Sequence, residues 1–183
     1  MIADHVAKLL CHIEKCEITE LREGLRDTPF RVAKSYLELY SGYNQSPKDI
    51  LTVFEPEAYS EMIILKRVEF VSTCEHHMLP FFGKASIAYI PDQKIVGISK
   101  LARVLEIYTR RLQIQERICT QVTDALMEHL KPLGAACILE AQHFCMICRG
   151  VNKQHSVMVT SSLQGAFKTE FQVRQEFLSL IRE

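Results

Sequence analysis

The sequence predicts an α+β fold: an antiparallel sheet with helices on one face, preceded by an N-terminal helical pair. Three observations carry the prediction. Apolar residues recur at helical spacing in several separate stretches. Ile, Val and Phe gather in short runs bounded by turn residues, as strands do. The order after residue 60 is strand-strand-helix-helix-strand-strand, and strands in sequential pairs favour antiparallel pairing over a parallel crossover sheet.

Each element has its own signal. Val6, Leu9, Leu10 and Ile13 share a helical face, so residues 2–17 form an amphipathic helix. Asp27-Thr28-Pro29 starts a second helix, with Thr28 as N-cap and Pro29 at the first helical position. Val32, Tyr36, Leu39 and Tyr40 give it one apolar face; Gly42 and Asn44 stop it, and Pro47 opens a loop. Met62 to Ser72 and Lys84 to Ile90 read as strands joined through Cys74 to Gly83. Ser99 caps a helix carrying Leu101, Val104, Leu105 and Tyr108 on one side. A further helix carries Ile114, Ile118, Val122, Ala125 and Leu126 and ends at Pro132-Leu133-Gly134. Strands follow at 135–145 and 156–162, then a helix at 170–181. A sheet of four strands has two edges to cover or pair, so joining of copies through sheet edges is expected.

Composition narrows the function classes. The chain has 183 residues, of which 48% are hydrophobic, so it is globular. Its 22 basic and 22 acidic side chains balance, which argues against a nucleic-acid binder but leaves room for a local anion pocket. No apolar run is long enough to span a bilayer. Met1-Ile2-Ala3-Asp4-His5 lacks the basic-then-apolar order of a secretory signal. Seven cysteines, an odd number, then suggest reduced thiols in a cytoplasmic protein rather than a disulfide framework.

The densest chemistry lies in Cys74-Glu75-His76-His77 and His143-Phe144-Cys145. Cys74 and His77 are one turn apart, and on a strand His143 and Cys145 point the same way. Thiolate and imidazole are zinc ligands, and three of them with an open position mark a catalytic site. Cys74, His77 and Cys145 would supply the three, leaving His76 and His143 beside the metal. Cys148 offers a rival, a closed structural site on Cys74, His77, Cys145 and Cys148. Burial of the thiols as plain core residues is a third reading. A redox role for Cys145-x-x-Cys148 lacks the strand-then-helix context it needs. Ser99, Lys100 and Arg103 line one face at a helix start, where anions are favoured, and Arg149 follows the second cluster.

In this order the motifs resemble the GTP cyclohydrolase I family. The likeness runs from about residue 20 to the C-terminus. It takes in Arg22-Glu23-Gly24-Leu25, Thr28-Pro29-Phe30-Arg31-Val32-Ala33 and Cys74-Glu75-His76-His77. It continues through Gly97-Ile98-Ser99-Lys100-Leu101-Ala102-Arg103 and Gln113-Ile114-Gln115-Glu116-Arg117, and closes with His143-Phe144-Cys145 and Arg149-Gly150. Each motif alone is weak, whereas the ordered set is specific.

The resemblance implies a tunnelling fold over residues 56–183, after an N-terminal helical region at 1–55. It implies sheets joined into a barrel, a decamer of two stacked pentamers, and active sites between subunits. It puts Zn2+ on Cys74, His77 and Cys145 and acid–base work on His76 and His143. Ser99, Lys100, Arg103 and Arg149, with Arg31, match triphosphate contacts; Glu116 matches the carboxylate on the guanine edge, with Gln115 beside it. The implied reaction opens the purine of GTP at C8, with N7 protonated by His76. Formate leaves, and rearrangement gives 7,8-dihydroneopterin triphosphate. A zinc ion with two thiolates carries no net charge and should acidify water less than a three-histidine site, where the water pKa falls to about 7. His143 or His76 would then share in deprotonating the water. Rival functions are another tunnelling-fold enzyme acting on a pterin or deazapurine, and a non-catalytic module with structural zinc.

Overall fold

The computed structural model describes residues 1–54 and 59–182. The expected boundary between residues 55 and 56 lies outside the described residues. By its internal contacts the chain divides into two compact units, Met1–Ser41 and Gly42–Glu183.

In the first unit α1 (Ile2–Glu14) packs on α3 (Thr28–Leu39), with α2 (Glu23–Arg26) between them in sequence. Ala7, Leu21 and Pro29 are its buried residues. Asp27, not Thr28, is the N-cap of α3. Thr28 is already helical, and its hydroxyl bonds back to the Gly24 carbonyl at 3.3 Å instead of capping. α1 closes with Lys15 in the left-handed region and the Cys16 N–H on the Cys11 carbonyl at 3.1 Å.

In the second unit Gly42 and Asn44 form a 3-10 turn, and Pro47 starts α4 (Pro47–Ile50) where a loop was expected. Next come β1 (Val53–Phe54), β2 (Ile63–Cys74), β3 (Pro80–Ile90), β4 (Ile95–Val96), α5 (Ile98–Thr109), β5 (Leu112–Gln113) and α6 (Gln115–Leu130). The chain finishes with β6 (Gly134–His143), α7 (Phe144–Ile147), β7 (Met158–Gly165), α8 (Ala166–Thr169) and α9 (Phe171–Ile181). The main sheet runs β5-β2-β3-β6-β7, antiparallel except for the short parallel pair of β2 and β5. β1 and β4 form a separate two-stranded ribbon. These two-residue strands escaped the sequence reading because periodicity has no purchase on so short a run.

The pleat assigns the two faces. Phe81, Ala85, Ile87 and Tyr89 of β3 stand beside Ala135, Cys137, Leu139 and Ala141 of β6, and all are buried. Leu101, Val104 and Leu105 of α5 and Ile118, Val122 and Leu126 of α6 complete this core. The alternate residues Ala88, Ala136 and Ile138 face the other way, against Phe167 of α8 and Phe177 of α9. Helices therefore lie on one face for the central pair, as expected, while the C-terminal helix covers part of the opposite face. Gly83 permits the close pairing of β3 with β6: a Cβ there would lie 1.8 Å from the Glu140 carbonyl oxygen.

α5 begins two residues earlier than its sequence signal. Gly97 is the N-cap, and Ser99 lies inside the first turn without capping it. β3 begins at Pro80 rather than Lys84, so the connection from β2 is a tight loop.

Candidate metal and substrate site

The β2–β3 loop is built to bring Cys74 and His77 together. The Cys74 N–H donates to the Leu79 carbonyl at 2.9 Å, and the Met78 N–H donates back to the Cys74 carbonyl at 2.8 Å. Met78 closes the turn in the left-handed region, with φ of 52°. The sequence spacing of one helical turn is thus realised by a loop. Cys74 Sγ lies 3.7 Å from His77 Nδ1.

Cys145 arrives from another direction. The strand reading of 135–145 placed it beside His143 on one face; β6 instead stops at His143, and Cys145 sits in the single turn of α7. The donor atoms of Cys74, His77 and Cys145 all lie within 4.8 Å of one another. Cys74 is buried, Cys145 half-buried and His77 exposed, so the group opens to one side. Tetrahedral zinc holds sulfur at about 2.3 Å and imidazole nitrogen at about 2.0 Å, which separates neighbouring donors by roughly 3.5 Å. The donor set and its spacing fit such an ion.

Cys148 is not part of this group. It is the C-cap of α7, and its thiol donates to the Phe144 carbonyl at 3.0 Å. A small strand residue was expected here, but the chain has already turned into a helix. Among the described residues the converging group has three members, which counts against the closed four-ligand site.

The start of α6 is tied to the same corner. β5 pairs Gln113 with Cys74, and the Glu75 N–H donates to the Gln113 carbonyl at 3.0 Å. Arg117 then grips Glu75 with both terminal nitrogens, at 2.5 and 3.0 Å, and this guanidinium holds the Glu75 carboxyl below its ordinary range. Sequence reading missed this pair: the partners are far apart in the chain, and neither shows a local signal.

His143 is stacked on buried Phe81, with ring centroids 4.6 Å apart and planes 5° from parallel. Its Nε2 lies 2.8 Å from Gln115 Oε1. Burial lowers its pKa, and the Glu116 carboxylate opposes that shift. The Cys145 thiol is pushed up by burial and by Cys74 beside it, while the positive charge of Arg149 works the other way. His76 is exposed, with Nε2 4.0 Å from a Glu75 oxygen.

Ser99 and Arg103 are exposed and Lys100 half-buried on α5, whose other side is packed into the core. Arg31 belongs to the first unit, where it bonds to the Gly24 carbonyl at 3.0 Å. Glu116 and Arg149 are exposed near His143 and Cys145 respectively. Gln115 is buried and fully engaged, unlike an open substrate contact.

The sequence profile described as GTP cyclohydrolase I matches residues 2–182. The chain belongs to the GTP cyclohydrolase I family. The match takes in the N-terminal helix, which lies ahead of the motifs that begin at Arg22. The chain is 62% identical to GTP cyclohydrolase 1 of Wolinella succinogenes, over 88% of this chain and 87% of that one. It is 54% identical to the enzyme of the same name from Chlorobaculum tepidum, over 87% of this chain and 72% of the relative. The match to that of Chlorobium chlorochromatii is 51%, over 88% and 73%. Membership in this family makes the chain a hydrolase. Among the described residues no helix is long and apolar enough to cross a membrane.

Proposed function

We propose that the chain opens the purine of GTP at C8 as a zinc-dependent GTP cyclohydrolase I, releasing formate and yielding 7,8-dihydroneopterin triphosphate. The observation that carries this reading is the three-donor group of Cys74, His77 and Cys145, open on one side, with His76 and His143 left beside it. Those three residues would hold the zinc, which when bound supplies Lewis acidity and makes water a better nucleophile.

The chain's own groups supply the rest. Opening C8–N9 requires a proton on N7 and removal of one from the attacking water. His76, exposed at the rim, is suited to deliver the first; half-buried His143, biased towards its neutral form, is suited to take the second. Glu116 offers a carboxylate for the guanine edge, near His143. Arg149 offers charge for the triphosphate on the cysteine side. Ser99, Lys100, Arg103 and Arg31 complete the phosphate contacts in this reading.

Ser99, Lys100 and Arg103 stand on the side of α5 away from the core, and we assign them to the site of an adjoining copy. The open stretch of β2 and the outer side of β7 are the edges through which copies would join into a barrel, a decamer in this reading. Residues 56–183 form the catalytic domain and 1–55 the helical region before it. Seven unpaired cysteines support a cytoplasmic setting.

Incubation of the zinc-loaded protein with GTP is expected to give formate and a pterin that fluoresces after oxidation. Absence of both, with zinc confirmed in the protein, overturns the reading.

A further inference from the structure

We propose that Gln115 does not contact substrate but positions His143, fixing its ring in the orientation and tautomer that place the hydrogen on Nε2 and the lone pair on Nδ1. The proposal rests on the reading of His143 as a residue of the proposed site, and it is carried by the hydrogen-bond and stacking geometry.

The side chain of Gln115 is 1% exposed, and every polar atom of its amide has a partner. Its NH2 group donates to the Leu139 and Met158 carbonyls, both at 3.0 Å. Its oxygen lies 2.8 Å from His143 Nε2. A flipped amide would set its oxygen against two carbonyl oxygens, so the backbones of β6 and β7 fix which end faces the imidazole. An amide oxygen carries no hydrogen and can only accept. His143 Nε2 must therefore hold the hydrogen, and the lone pair of the neutral ring sits on Nδ1.

Phe81, stacked flat against the ring, removes the tilting freedom that a single hydrogen bond would leave. The restraints come from Phe81 of β3, from Gln115 at the start of α6, and from the Leu139 and Met158 carbonyls of β6 and β7 that hold Gln115. The Nε2 hydrogen points at the Gln115 oxygen, and Gln115 itself neither gains nor loses a proton. Glu116, the next residue, is exposed where Gln115 is buried, so adjacent residues on the first turn of α6 divide the work between positioning and recognition.

The test uses the zinc-loaded, assembled protein labelled with 13C and 15N in histidine. Magic-angle-spinning NMR reads the ring tautomers, and a His143→Asn variant assigns the His143 signals. The expected wild-type signature is a neutral ring protonated on Nε2. Gln115→Leu is expected to mix the two tautomers, to lower kcat for GTP about 10- to 100-fold, and to leave KM within about twofold. Gln115→Glu keeps an oxygen acceptor for Nε2 and is expected to lose less activity than Gln115→Leu. A wild-type ring protonated on Nδ1 overturns the proposal. So does a Gln115→Leu enzyme with raised KM and unchanged kcat, the mark of a lost substrate contact. If Gln115→Leu does not fold, the wild-type spectrum still decides. A wild-type enzyme without GTP turnover defeats the functional reading, while the tautomer is scored separately.

Discussion

At the scale of single residues, three sulfur-bearing side chains near the site have separable fates. Cys74 and Cys145 converge with His77, whereas the Cys148 thiol is turned onto the Phe144 carbonyl. Cys74→Ala or Cys145→Ala is expected to abolish stoichiometric metal binding, measured by elemental analysis after gel filtration. Cys148→Ala is expected to retain the metal in full; loss of metal there would revive the closed four-ligand site. The two histidines divide by environment. His76 stands in water beside Glu75, and His143 is wedged between Phe81 and Gln115. Replacing either with alanine is expected to slow purine opening by about 10²- to 10⁴-fold. Purine opening followed in a single turnover checks this, and an unchanged rate in both variants would remove proton transfer from their roles.

At the scale of elements, β3 is the organising strand, paired along its length with both β2 and β6. Its tightest approach is at Gly83, where a methyl group would meet the backbone of β6, which cannot step aside as a flexible side chain can. Gly83→Ala is expected to destabilise the fold by about 1–3 kcal/mol, the usual cost of overpacking, read by urea denaturation. The C-terminal helix is held through Phe177, which is fully buried against Phe167 at 5.3 Å between ring centroids. Phe177→Ala is expected to cost about 3–5 kcal/mol, as deletion of a large core side chain does. Protease susceptibility confined to the last helix, with the metal retained, would show that α9 unfolds separately from the α5–α6 core.

At the scale of the whole molecule, the face of α5 proposed to bind phosphate and the cysteine group are two halves of one proposed site on different copies. That arrangement has a direct consequence. Arg103→Ala and Cys145→Ala proteins, each inactive alone, are expected to regain activity when unfolded together and reassembled. Random mixing of two copies per site restores about a quarter of the sites. Activity in the mixture that never exceeds the separate proteins would place both halves within one chain and remove the argument for a shared site.

Much of the fold was legible because apolar periodicity is a local property. Val104 and Leu105, or Ile118 and Val122, announce the buried face of a helix whatever it packs against. Cys74, His77 and Cys145 were legible because few other arrangements put thiol and imidazole together at such spacing. The ends of elements were less so: Thr28 and Ser99 carry capping hydroxyls, yet Asp27 and Gly97 stand at the caps, because packing fixes where the helix axis begins. The route by which Cys145 reaches the metal group, on a helical turn rather than a strand, depended on where pairing with β3 runs out at Phe81. Glu75 with Arg117, and Gln115 with His143, are contacts between residues distant in sequence, and only the folded sheet brings them within hydrogen-bond reach. Sequence alone determined the longer elements and the donor chemistry, which depend on residue type and short spacing. Tertiary structure decided which donors meet and which nitrogen of His143 stays free, because both are set by strand register.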